Sequence, residues 1–309
     1  MAVAVDSPAV GARSASAPAV RRAYVAWVLV GILWGTTYLA IRISLETIPP
    51  LLMAGIRWVT AGSILLIALK VGGAQLPARR TWPSLAVLGL LLLGFGNGAV
   101  VWAEQTVPSG LTAVLVAMCP FWMVGLEAAM PDGERLTPRR VLGLVVGFGG
   151  IVTLVWPEMQ IGGGRQFFGG VVASQIACVG WAFGSTYTRR RGHDENVLGA
   201  AAFEMLFGGL MLLAAGALIG EWRTLAFNPR TSAALAYLIV FGAIAGFSAY
   251  AYALKHLPVA TVSLYAYVNP IIAVVLGTLV LDEPFNVRMA TAAGIVLAGM
   301  ALVRTPNGS

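Results

Sequence analysis

Two ionisable residues stand deep inside long apolar runs, Arg57 and Glu204. A charge in hydrocarbon is costly, so such residues line a polar cavity or pair with one another. A guanidinium holds a carboxylate through parallel hydrogen bonds, and a carboxylate receives an ammonium group. Together they suit a zwitterion such as an amino acid, or they form a structural ion pair. Aromatic faces and polar tips for a cavity wall come from Trp34, Tyr38, Asn97, Trp102, Trp181, Tyr187, Tyr265 and Asn269, with Trp58, Tyr250, Tyr252 and Tyr267 as further candidates. Some of these must instead face lipid or neighbouring helices. Glu127 either titrates during transport or reaches interfacial water, and His193 and His256 read as ordinary loop residues.

The elements that position these residues follow from composition. The 309 residues are 58% hydrophobic and 11% charged, too few charges to cover a soluble surface. A soluble enzyme is thereby excluded. The net charge of +7 is spread between apolar blocks and forms no basic patch for nucleic acid. Cys119 and Cys178 lie inside apolar runs and indicate neither a disulfide framework nor a metal site. No H-E-x-x-H, G-x-S-x-G, cysteine-histidine pair or phosphate loop occurs, so neither catalysis nor a cofactor is expected.

A bilayer core of about 30 Å takes about 20 helical residues. Ten blocks meet this requirement: 24–44, 50–70, 82–103, 108–130, 139–156, 168–188, 197–219, 232–254, 258–281 and 287–303. The fold class expected is an all-α polytopic membrane protein with ten transmembrane helices. Residues 1–23 read as a disordered cytoplasmic tail. With the amino terminus inside, 14 basic residues fall on the cytoplasmic side, against four outside (Arg165, Arg223, Arg230 and Arg288). That bias puts both termini in the cytoplasm. Arg57 then lies roughly 10 Å below the outer edge of the second block, with Glu204 at a similar depth from the inner edge of the seventh. Arg42 and Arg191, nearer the interfaces, can snorkel to water.

The chain also repeats. Gly31, Gly35, Thr36, Thr37 and Tyr38 match Gly180, Gly184, Ser185, Thr186 and Tyr187 at a separation of 149, and Pro108, Pro120 and Asp132 match Pro258, Pro270 and Asp282 at 150. Five spans are an odd number, so the second copy, 168–304, enters the membrane inverted relative to the first, 24–156. Pro120 and Pro270 are expected to bend the fourth and ninth spans. Five G-x-x-x-G strings, at Gly31, Gly94, Gly143, Gly180 and Gly242, read as helix-packing faces.

W-G-T-T-Y at 34–38, N-P at 269–270, D-E-P-F at 282–285 and D-G-E-R-L-T-P at 132–138 together resemble the EamA family within the drug/metabolite transporter superfamily. The resemblance implies a multi-pass carrier in the bacterial inner membrane that exports small organic metabolites, often amino acids, through a central cavity between the halves. Cys119 stands where the second half has Asn269, so the two bends need not share a polar lining. Alternating access is the expected mechanism, with proton coupling and exchange both open. A small-solute channel, an uptake carrier or an exchanger are the alternatives. The partners implied are the lipid bilayer and a small organic solute, and the oligomeric state stays open. In a chain whose own cysteines are replaced by alanine, Arg80→Cys is expected to react with an impermeant maleimide only from the cytoplasmic side, and Thr224→Cys only from the opposite side. Reaction of both from one side would refute the assigned orientation.

Overall fold

The computed structural model describes residues 17–130, 136–160, 164–191, 196–257, 259–262 and 264–303. Among them the regular structure is helical, as hydrocarbon demands of a chain whose amides and carbonyls have no water to bond. Ten segments follow one another: Ala17–Ser44, Pro50–Val71, Arg79–Ala103, Ser109–Ala128, Pro138–Gln160, Gly164–Arg191, Val197–Leu218, Pro229–Ala253, Tyr265–Leu281 and Val287–Val303. They are called the first to the tenth below. The first eight are long and apolar enough to cross a membrane, and the last two are shorter apolar helices.

Several boundaries differ from the hydropathy reading. The first helix already runs from Ala17, so residues 17–23 are helical and not tail. This extension is alanine-rich, which favours helix without favouring lipid, and it leaves Arg21 and Arg22 exposed. The tail before Ala17, Asp132, His193 and Arg304 lie outside the described residues. Pro120 does more than bend its span: the fourth segment stops at Val116 and restarts at Cys119, with the ring in the first turn of the new helix. A proline there loses no intrahelical bond. Pro270 is buried inside the continuous ninth helix.

The third and eighth segments each widen in mid-course into a π-helix, at Gly89–Asn97 and Leu238–Ala245. Helix starts are closed by carboxylates from distant connections. Glu221 accepts from the amides of Leu51 and Leu52 at the head of the second segment. Glu283, in the D-E-P-F connection, accepts from the amides of Ser109 and Gly110 and from the Ser109 hydroxyl at the head of the fourth. These are the amides a helix cannot bond internally, and they carry the positive end of its dipole.

The most extensive packing joins the second segment to the seventh and the fifth to the tenth. The first lies against the eighth and ninth, the sixth against the third and fourth, and the second meets the eighth as the third meets the seventh. Each of these pairs takes one member from before Gln160 and one from after Gly164, so the two halves interleave. One core cluster shows this by combining Ile41, Met53, Trp58, Leu93, Met205 and Leu238.

Glycine makes the interleaving possible. A Cβ on Gly62 would lie 2.8 Å from the Ala202 carbonyl oxygen, and one on Gly209 would lie 2.8 Å from the Val59 nitrogen. All five G-x-x-x-G strings face a neighbouring segment in this way, in keeping with a packing role. Between the fifth and tenth segments, a Cβ on Gly299 would stand 2.6 Å from the Gly147 nitrogen. Gly299→Leu is therefore expected to destabilise the protein by about 1–3 kcal/mol through overpacking, read as a lower unfolding temperature in detergent. An unchanged temperature would show that this contact is not close.

Candidate functional site

Arg57 sits on the second helix at 3% exposure, yet its Nε and Nη1 have no hydrogen-bond partner among the described residues. Its guanidinium lies 4.2 Å from the centroid of the Trp58 ring, a cation–π contact. On the eighth segment Gly242 leaves room for it, since a Cβ there would lie 3.1 Å from Arg57 Nη2 and 2.8 Å from Thr37 Cγ2. The charge is thus enclosed by the first, second and eighth segments.

Beside it stands a cluster of rings. Trp34 meets Phe247 at 5.4 Å, Tyr250 at 5.2 Å and Tyr265 at 4.9 Å between centroids. Trp58 meets Phe247 edge-on at 5.9 Å. The two indoles are anchored by the two π-helices: Trp34 Nε1 donates to the Gly242 carbonyl at 3.1 Å, and Trp58 Nε1 donates to Asn97 Oδ1 at 3.0 Å. A π-helix shifts the side chains that follow it, and such shifts recur at functional sites. Tyr38 interacts electrostatically with Glu104, Cys119 and Cys178, and also with Tyr265, which draws the first and ninth segments into the same region.

Of the residues singled out from sequence, Trp34, Tyr38, Arg57, Trp58, Asn97, Tyr250 and Tyr265 come together here. Asn269 is buried, and with its amide nitrogen turned inward it donates to the carbonyls of Gly31 at 2.9 Å and Tyr265 at 3.1 Å. It braces the ninth segment against the first. The others lie elsewhere. Trp102 is 44% exposed and touches Gly169, while Trp181 packs near Gly96. Tyr187 joins the cluster of Leu85, Leu88 and Phe203.

Glu204 is half-buried on the seventh helix, and no ion pair joins it to Arg57. Arg230 and Glu46 form an ion pair at 3.1 Å, and it is exposed. The carboxylate that acts electrostatically on Arg57 is Glu104, which the sequence reading passed over. Glu104 follows the third apolar block by one residue and so reads as a connection, but it is 0% exposed. The signal available was brevity: only a few residues separate that block from the next, too few for a loop to escape the helix ends. Arg42, expected to snorkel, instead turns a guanidinium nitrogen to the Glu104 carbonyl oxygen. Among the described residues no group of three or more histidines, cysteines or acids is placed to hold a metal ion, and Cys119 and Cys178 are free thiols.

The sequence profile of the EamA-like transporter family matches residues 21–156 and 168–305. The chain is 37% identical over 276 residues to the uncharacterized inner membrane transporter YedA of Escherichia coli (strain K12), covering 88% of this chain and 87% of that one. With the uncharacterized transporter YvbV of Bacillus subtilis (strain 168) it shares 25% identity over 276 residues, 89% of each chain. A solved crystal structure of another protein has the same fold at a TM-score of 0.62 and 21% identity, covering 91% of this chain and 95% of that one.

The Asn97–Trp58 bond gives a direct check on this geometry. Asn97→Leu leaves a buried indole N–H without its acceptor, at a cost of about 1–3 kcal/mol. A lower unfolding temperature and a shifted tryptophan emission are expected, and an unaltered spectrum would mean that Trp58 does not depend on this bond.

Proposed function

Because the chain belongs to the EamA-like transporter family, we propose that it is a secondary carrier exporting amino acids or similar small organic solutes across the bacterial inner membrane by alternating access. The observation that carries the solute class is Arg57, a guanidinium fully enclosed in protein with donors unspent, beside a cluster of aromatic rings. A solute carboxylate accepts from such donors. The rings supply apolar contact for the rest of the molecule.

The ten segments are read as ten crossings in two inverted repeats of five. Three features support that reading. Residues match across the halves at a separation of 149 or 150. The most extensively packed pairs map onto one another when each segment exchanges places with the one five further on: the second with the seventh and the fifth with the tenth pair with themselves, and the first with the ninth becomes the sixth with the fourth. The π-helices fall in the third and eighth segments, which such an exchange would interchange. Repeats related in this way can trade conformations, turning an outward opening into an inward one around a fixed site. With no nucleotide-binding loop in the sequence, the drive is the solute's own gradient, a proton gradient or a counter-solute, each acting by its unequal affinity for the two states.

Reconstitution into vesicles with a mixed pool of amino acids and related metabolites tests the proposal. Saturable uptake with counterflow is expected, and Arg57→Gln is expected to slow it by at least about tenfold, the consequence of removing a buried charge partner. Conductance-like, non-saturating flux would replace the carrier by a channel. Absence of flux under every imposed gradient would overturn the assignment.

A further inference from the structure

Glu104 is the second charged group buried beside the site. Neither of its carboxylate oxygens has a hydrogen-bond partner among the described residues, and its exposure is 0%. The second segment, which carries Arg57, packs against the helical turn Gly98–Ala103 that Glu104 closes, yet Arg57 and Glu104 do not come within the 4.0 Å of an ion pair. Opposite charges buried this close ordinarily meet, because contact is what offsets the loss of their hydration. Here each keeps its bonding capacity: two nitrogens on the guanidinium, two oxygens on the carboxylate. The other groups acting on Glu104 do not use that capacity. Arg42, the other cation near Glu104, turns one guanidinium nitrogen to the Glu104 main-chain carbonyl and makes no hydrogen bond to the carboxylate oxygens, and the Glu283 carboxylate is engaged by Ser109 and Gly110.

We propose that Arg57 and Glu104 are the two poles of a single zwitterion site, Arg57 taking the carboxylate of the solute and Glu104 its ammonium group. This rests on the carrier reading above and assigns the negative pole to Glu104 in place of Glu204, which makes no ion pair with Arg57. An α-amino acid carries its ammonium and carboxylate groups on one carbon and so bridges a guanidinium and a carboxylate that do not touch. Trp34, Phe247, Tyr250 and Tyr265 then border the side chain, which favours a large apolar or aromatic one. A solute lacking the ammonium leaves Glu104 buried and unpaired, which a polar site rejects strongly.

The test uses the full chain in lipid nanodiscs and two probes, L-phenylalanine and 3-phenylpropionate, which differ by the ammonium group. The wild type is expected to bind phenylalanine at least about tenfold more tightly. Glu104→Gln is expected to abolish that preference by weakening phenylalanine alone, whereas Arg57→Gln weakens both probes. Glu104→Asp is expected to restore part of the preference. Thermal unfolding is recorded for each variant, and if Glu104→Gln does not assemble, the same comparison is read on Glu104→Asp, with phenylalanine weakened several-fold and 3-phenylpropionate unchanged. Equal loss for both probes, no change for either, or no preference in the wild type would each overturn the proposal and leave Glu104 a counter-charge. Vesicle flux of some other solute without phenylalanine binding would overturn it too, while the carrier reading stood.

Discussion

The close contact between the second and seventh helices sets the position of everything else in the site. Helices in lipid gain nothing from hiding apolar surface, because the solvent is equally apolar, and they associate through van der Waals packing instead. Gly55, Gly62 and Gly209 let the two backbones approach until side chains of one meet main chain of the other. Trp58 lies within that contact zone, its Cβ 2.9 Å from where a Cβ on Gly209 would stand, and the Arg57 guanidinium lies over the Trp58 ring. A charge held this firmly need not be satisfied by its own protein, and Arg57 Nε and Nη1 are not.

Two further devices translate the packing into a site. The π-helices of the third and eighth segments present Asn97 Oδ1 and the Gly242 carbonyl to the indoles of Trp58 and Trp34. Each ring is thereby fixed at its polar tip as well as by its neighbours. At the segment ends, Glu221 and Glu283 reach from connections in the second half to cap helices of the first. The D-E-P-F string acquires a physical meaning in this way: Asp282 turns the chain at φ +52° and Glu283 closes the fourth segment.

Duplication supplies the frame but not the chemistry. Arg42, Arg57 and Glu104 all come from the first half, while the ring cluster is shared, Trp34 and Trp58 from the first half meeting Phe247, Tyr250 and Tyr265 from the second. The proline pair shows the same divergence, with a restarted helix at Pro120 and an unbroken one at Pro270. In the second half Asn269 ties the ninth segment to the Gly31 carbonyl, and Cys119, its counterpart, has no comparable amide to offer.

The sequence by itself determined that the chain is a membrane protein, where its apolar segments run, that its halves are related, and that Arg57 lies deep. Those properties are local: length, hydropathy and spacing need no knowledge of neighbours. Only the tertiary structure decided which residues meet. Helices apolar on every side carry no polar stripe to mark an inner face, so Trp102, at 44% exposure, and Trp34, in the ring cluster, looked alike in the sequence. Glu204 could not be separated from Arg57, nor Arg42 given its inward turn, without the packing of the seventh segment on the second and the contact of Arg42 with the end of the third. Glu104 was the largest omission: hydropathy counts it as loop because the apolar run stops one residue earlier, while burial depends on what surrounds that helix end, and Glu104 is fully enclosed.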